Sequence, residues 1–430
     1  MEKLFQLKKA GSTVKQEIVA GITTFMTLAY ILAVNPDILC ATGMDKGAVF
    51  TATILASVVG ILLMAFLANL PFAMAPGMGL NAFFAYTVVL GMGYTWQTAL
   101  AAVFLEGIIF IILTALNIRE AIVNSIPISI KHAISVGIGL FIALIGLKNA
   151  GIVVSNDNTM VSLGNLDDPA VWISFAGLLI ISVLLVLKIK GAILTGMVAA
   201  TLLGIPFHIT TVPQDGIISL PPSLGPTFMK FDFNSLLEPD ILVVLFTFLF
   251  VDMFDTVGTL IGVSSKANML DEKGNVPRAK QALFADAFGT TVGALFGTST
   301  VTTYVESAAG VSEGGRTGLT ALVVAIMFLL ALFFAPVFLM IPGAATAPAL
   351  VIVGMLMISP ISKIDLENYI DAIPVFLTII MMPLTFSISE GIVFGILSYV
   401  LIRILSGKFK KMSPVLIILA VLFILKFILS

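Results

Sequence analysis

Two acidic motifs lie inside stretches that are otherwise almost wholly apolar: FVDMFDTVGTL, with Asp252 and Asp255, and TSTVTTYVESAAGV, with Glu306. A charge at bilayer depth costs about 2.5–3.5 kcal/mol on insertion scales, so such residues mark where a polar substrate or ion passes. Asp252 and Asp255 are spaced i and i+3 and share a helix face with Thr256 and Thr259. No Lys or Arg lies within either stretch to neutralise them. Their chemistry would be to accept hydrogen bonds from N–H groups and to take up a proton or cation; the plainer alternative is that one of them pins a neighbouring broken helix. Glu306 reads as a first-turn residue of such a helix, where the dipole favours negative charge. There it either meets substrate or caps its own amides.

Asn81, followed by Phe83 and Phe84, supplies an amide that both donates and accepts, which suits a heterocycle. Phe83 or Phe84 either stacks on a flat ligand or simply packs. In GITTFMTLAY, Thr23, Thr24 and Thr27 either line a cavity or bond back to their own helix. Glu106 and Asp286 read as helix bridges or proton relays, Asp371 and Glu390 as reaching interfacial water, and Glu17 as facing water or capping its helix.

Composition says what kind of matrix must hold these groups. Of 430 residues 59% are hydrophobic and 11% charged, with a mean hydropathy of +1.13. A soluble domain carries about 25% charged residues, so the chain reads as an all-α polytopic membrane protein. One cysteine (Cys40) and two histidines (His132, His208) cannot build a disulfide framework or a Cys/His zinc cluster. No metal or cofactor is expected. HExxH, P-loop and GxSxG motifs are absent, which argues against an embedded hydrolase or an ATP-driven pump. The polar N-terminus runs into a long apolar span that reads as a retained helix and not a signal peptide.

Apolar stretches long enough for about 30 Å of hydrocarbon fall near 17–38, 50–70, 74–93, 96–117, 128–147, 170–188 and 190–207. After a Pro-rich break at 208–239, more fall near 240–264, 281–297, 298–312, 317–340, 343–359, 369–387 and 388–406, with a further apolar run at 412–429. With the N-terminus cytoplasmic, inside segments hold eighteen Lys and Arg residues, Arg119, Lys131, Lys273, Arg278, Lys280, Lys363, Lys410 and Lys411 among them. Outside segments hold three: Lys46, Lys148 and Lys230. That bias supports both the fourteen spans and the orientation in a cell membrane. It also accounts for the basic loop at 265–280 without nucleic acid.

Seven spans per half force the halves, 1–215 and 235–411, into opposite topology, leaving 412–430 as a C-terminal segment. Inverted repeats place substrate near the midplane between interrupted helices. Pro71, Pro76, Gly77 and Gly79 forbid a regular helix at the start of span 3, and GTSTVTT suits an extended segment at the start of span 10. Half-helices are expected to begin near Met78 and Thr303.

At these residues the chain resembles the nucleobase:cation symporter family, in its AzgA-like branch of adenine/guanine/hypoxanthine permeases. The resemblance is carried by EIVAGITTFMTLAYILAVNP, MAPGMGLNAFFAYTVV, FVDMFDTVGTLIGV and TSTVTTYVESAAGVSEGGRTGLTA. It implies a core of spans 1–4 and 8–11, a gate of spans 5–7 and 12–14, and short antiparallel strands in spans 3 and 10. It also maps the ligand-binding acids to Asp252 and Glu306, and the span 3 asparagine to Asn81. Asp255 competes with Asp252, since registering on Val257-Gly258 favours it for substrate; otherwise it serves coupling, alone or with Glu306. The expectation is secondary uptake of a purine base through an elevator or rocking cycle, with proton symport favoured over sodium and a homodimer left open. The alternatives are a sulfate-type anion transporter of the same architecture and an ion channel.

Overall fold

Inside a bilayer every backbone N–H and C=O must be paired within the protein, so apolar chain becomes helix unless it is buried against other chain. The computed structural model describes residues 2–116, 127–156, 159–213, 216–236, 238–270, 276–408 and 412–429. Arg119, Lys273, Lys410 and Lys411 of the charge bias, residues 271–275 of the basic loop, and the boundary residues 215, 411 and 430 lie outside them.

The structure is mostly helical. In the first part, helices run over Glu2–Phe5 (α1), Val14–Leu28 (α2), Ile31–Cys40 (α3) and Lys46–Leu63 (α4). A strand Met74–Pro76 (β1) leads into Met78–Ala82 (α5), which continues as a wider π-helix over Phe83–Gly91. Then come Trp96–Ala115 (α6), Ile128–Asn149 (α7), a hairpin of Val153–Asn156 (β2) and Met160–Leu163 (β3), Pro169–Val186 (α8) and Ala192–Gly204 (α9). The second part holds Pro239–Lys266 (α10), Ala279–Phe296 (α11), a strand Val301–Thr303 (β4) and Ser307–Ser312 (α12). Gly318–Ala331 (α13), Ala335–Leu339 (α14), Gly343–Met357 (α15), a 3-10 turn Ser359–Lys363, Tyr369–Thr385 (α16), Ile388–Leu405 (α17) and Pro414–Leu429 (α18) complete it.

Among the described residues nine helices are long and apolar enough to cross a membrane, three more are shorter apolar helices, and the chain is a multi-pass membrane protein. Two expectations need correcting, and one element was not expected. Span 1 is not one helix: it breaks at Ala29–Tyr30, and Pro36 inside α3 removes the N–H that would serve the Leu32 carbonyl. The second half-helix begins at Ser307 and not near Thr303, because Thr303 is still paired in a strand. The β2–β3 hairpin has no counterpart in the reading of the sequence.

Packing sorts the helices into two groups. Helix α11 lies against α4 and α6, and α13 against α2 and α4; separately, α7 packs on α15 and α16, α8 on α9 and α15, and α16 on α17. The second group is cemented by small residues, which let backbones approach in the absence of a hydrophobic drive between helices. A Cβ on Gly139 of α7 would come 2.6 Å from the Gly354 carbonyl of α15, and one on Gly146 would come 2.9 Å from the Ala347 carbonyl.

Candidate functional site

The site is organised by a crossing of extended chain. Strands β1 and β4 pair antiparallel, Met74 with Thr303, Ala75 with Thr302 and Pro76 with Val301. Pro76 has no N–H to give, and two side chains reach its carbonyl: Tyr304 donates through its hydroxyl and Asn81 through Nδ2 at 3.4 Å. The Gly77 N–H donates to the Thr300 carbonyl (2.9 Å), and the Tyr304 N–H to the Ala73 carbonyl (3.0 Å). The Ser307 hydroxyl accepts from the Ala73 N–H (2.9 Å). Thus each strand ends in a helix start held by the other segment.

Asn81 is fully buried, and its Oδ1 accepts from Ser299. Its Oδ1 fastens α5 to the segment entering β4, and its Nδ2 ties α5 back to the end of β1. Phe83 is equally buried and meets Phe248 edge to face, ring centroids 5.0 Å apart. Thr24 is buried where α2 meets α12: a Cβ on Gly310 would collide with its hydroxyl oxygen. None of these three is in the lining of the large cavity described next, whereas Asp255 is. Thr27 bonds back to the Thr23 and Thr24 carbonyls.

Behind the strands lies a buried polar network. The Thr256 hydroxyl is 2.7 Å from Asp286 Oδ1, 2.7 Å from the Thr302 hydroxyl and 3.2 Å from Asp252 Oδ1. Two hydroxyls bring two protons to three contacts, so all three are hydrogen bonds only when one carboxyl carries a proton. Thr300 donates to Glu106 at 2.7 Å. Asp252, Asp286 and Glu106 are all fully buried. This is a place that can hold a proton without exposing it.

In front of the strands a cavity of about 1030 Å³ opens. It is walled by α7 from Ile128 to Ile138 and by α10 from Val251 to Gly262, and Asp255 faces into it. Helix α7 has 22 residues and is about 33 Å long; the cavity follows it for about 15 Å, close to half its length. Ile138 packs there on the first turn of α5, where a Cβ on Gly79 would sit 2.7 Å from it. One Asp255 carboxylate oxygen lies 3.8 Å from where a Gly77 Cβ would be, at the start of α5. Asp286 and Glu306 each lie near enough to Asp255 to act on it electrostatically.

Glu306 immediately precedes α12 and makes no capping bond, so it is neither a first-turn residue nor a cap for its own amides. Its carboxylate accepts instead from the Tyr30 hydroxyl at 2.8 Å. It is half-buried and outside the lining of the large cavity. Tyr30, at the break between α2 and α3, was not legible as a site residue; Pro36 six residues on was the available signal. Glu17 also departs from expectation. It is fully buried and receives the N–H groups of Arg316 (3.1 Å), Thr317 (3.3 Å) and Thr320 (3.2 Å). It therefore caps α13 from α2, not its own helix.

At the other end of α7 a smaller cavity, about 450 Å³, is lined by Tyr86, Lys148, Asp240 and Glu390 among others. Between the two, α5 and its π-helical extension are latched to the second packing group. Thr87 donates to the Phe386 carbonyl (3.0 Å), Asn149 donates to the Tyr86 hydroxyl (2.9 Å), and Lys148 sits 4.9 Å from the Phe386 ring centre. Asp371 pairs with Arg403 at 2.7 Å. Among the described residues no group of three or more His, Cys, Asp or Glu converges to hold a metal.

Paired strand crossings between half-helices, with a carboxylate at the inner end of a cavity that reaches halfway along a spanning helix, are the parts of a membrane permease. Comparison with known proteins agrees. The fold is that of the transmembrane domain of a cyanobacterium bicarbonate transporter, BicA (TM-score 0.66, 16% identity, 89% of this chain and 97% of that one). Murine Slc26a9, an anion transporter in the inward-facing state, gives 0.66 at 11% identity over 91% of this chain and 68% of that one. A model described as Permease family, of the xanthine/uracil type, matches residues 15–394. The adenine permease AdeP of Escherichia coli is 45% identical over 100% of this chain and 96% of its own length. The guanine/hypoxanthine permease PbuO of Bacillus subtilis is 45% identical over 98% and 99%. The chain belongs to the nucleobase:cation symporter family, and it is a permease, not an enzyme.

Proposed function

We propose that this permease imports purine nucleobases by proton symport through an alternating-access cycle. The observation that carries the reading is Asp255 at the inner end of the large cavity, in a chain alike from end to end to permeases named for adenine and for guanine and hypoxanthine. A carboxylate accepts hydrogen bonds from ring N–H groups, and each charge-assisted bond contributes about 1.5–3 kcal/mol. Asp255 and Glu306 are the acids that receive the base. Asp252 and Asp286 hold the coupling proton behind the strands, which favours protons over sodium. Asn81, Phe83 and Thr24 then act through the scaffold.

The fourteen-span, inverted-repeat arrangement belongs to this proposal, with core spans 1–4 and 8–11 moving against gate spans 5–7 and 12–14 as an elevator or by rocking. So does a cytoplasmic N-terminus in the cell membrane, which puts Lys131, Arg278, Lys280 and Lys363 inside. The large cavity then opens to the cytoplasm, and the Thr87–Phe386 and Tyr86–Asn149 bonds close the outer side.

The test is uptake of radiolabelled hypoxanthine in cells lacking purine transport, with adenine, guanine, xanthine and uracil as competitors. Saturable uptake, countertransport of preloaded base and collapse by a protonophore are expected. Uptake that ignores the proton gradient and follows external sodium would overturn the coupling. Competition by uracil alone would overturn the purine assignment.

A further inference from the structure

The mouth of the large cavity carries more positive charge than its floor can use. Lys131 and His132 come from the start of α7, Arg278 and Lys280 from the start of α11, and Lys363 from the 3-10 turn after α15. A positive-inside bias alone would scatter cations along loops; here three separate segments bring them to one opening. Among the described residues, Asp255 is the only acidic one in the lining. Arg278 and Lys280 each give one bond to a carbonyl at a helix end, those of Ala68 and Ala115, both at 3.3 Å. A guanidinium has five N–H donors and an ammonium three, so most of their donors remain for a ligand. Among the described residues no carboxylate pairs with Arg278, Lys280 or Lys363.

The cavity is therefore polarised along its depth, acid inside and base outside, and its volume of about 1030 Å³ lies at the upper end for drug-sized ligands, far beyond a bare nucleobase. We infer that the vestibule is a second binding site for a purine nucleoside monophosphate, the base reaching toward Asp255 and the phosphate held by the cationic rim. Such a ligand satisfies both ends at once. It blocks the passage, being tied at the mouth by a charge that the inner end cannot accept, so the product of attaching a ribose phosphate to the imported base restrains further import. This inference rests on the purine reading of the inner end.

The experiment uses everted membrane vesicles, which present the vestibule outward, and labelled hypoxanthine. Guanosine 5′-monophosphate is expected to inhibit competitively, guanosine about tenfold more weakly for want of the charge-assisted bonds, and inorganic phosphate not at all. Right-side-out vesicles should resist the nucleotide. The Arg278→Gln, Lys363→Gln double variant should weaken nucleotide inhibition about tenfold more than it raises KM for the base. Lys363→Gln alone, on an exposed turn, keeps the comparison available if the double variant does not fold.

Equal inhibition by nucleotide and nucleoside would overturn the proposal. So would inhibition by phosphate matching the nucleotide, or loss of nucleotide inhibition in phosphatidylglycerol-rich vesicles, which would assign the rim to lipid head groups. Thermal stabilisation of the purified protein by the nucleotide over guanosine reads the same site without transport. A protein stabilised in that way but inert toward hypoxanthine would sink the proposed function and leave this site standing.

Discussion

Asp252 and Asp255 stand three residues apart on α10, yet they inhabit different regions. Asp252 is sealed behind the strand crossing with Thr256, Asp286 and Thr302, whereas Asp255 looks into the large cavity beside the start of α5. Asn81 and Glu306 divide in the same way: the amide is consumed in fastening two segments, and the carboxylate is held by a single tyrosine. One side of the crossing is a frame tied by hydrogen bonds between segments. The other offers acceptors with capacity to spare. The difference teaches that a polar residue at membrane depth is not by that fact a ligand; what its other atoms already bond to decides.

The sharpest way to break this contrast is to neutralise each aspartate. Asp255→Asn should lower hypoxanthine uptake about tenfold to a hundredfold, while leaving protein abundance and melting temperature near wild type, because a lost charged contact costs about 1.5–3 kcal/mol of binding. Asp252→Asn should instead lower melting temperature and abundance, since it disturbs a buried network at about 1–3 kcal/mol, and the uptake that remains should no longer respond to a protonophore. If the two variants exchange phenotypes, front and back have been assigned the wrong way round.

Next in size is Gly77→Ala. The added methyl would sit 2.7 Å from Thr302 Cγ2, and forcing it in should cost about 1–3 kcal/mol, seen as reduced abundance in detergent extracts. Tyr30→Phe keeps the ring and removes the bond to Glu306, so KM for the base should rise about tenfold with little change in melting temperature. A large fall in stability would make Tyr30 part of the frame. The smallest effect on transport is expected for Asn81→Ala: stability drops by about 1–3 kcal/mol because Ser299 loses its acceptor, and KM stays within about twofold among molecules that fold. A specific rise in KM would move Asn81 to the front.

The elements around the site were readable where composition acts locally. Pro76 and Gly77 forbid helix, Met78 starts one, and the hydroxyl-rich string before Glu306 is extended, as the antiparallel pairing of β1 with β4 bears out. The acids themselves stood out because charge is rare in apolar surroundings. What stayed hidden depends on partners distant in sequence. Nothing near Glu17 announces that it serves amides about 300 positions away, and nothing near Tyr30 points to Glu306. Asp252 and Asp255 look alike along the chain, and only the bond of Thr256 to Asp252 and the opening of the cavity at Asp255 separate them. The Thr303 start failed for a related reason, since strand pairing with Met74 outcompeted the helix there.

The seam of small residues between α7 and α15 has its own mechanical result. Backbones in direct contact at Gly139 and Gly354 leave no compressible side chains between them, so that pair behaves as one stiff plank. Any rearrangement that carries a cargo across must slip along softer joints, such as the few polar ties of Thr87 and Tyr86. Bulk introduced at Gly139 would prise the plank apart and stall the machine without touching a single acid.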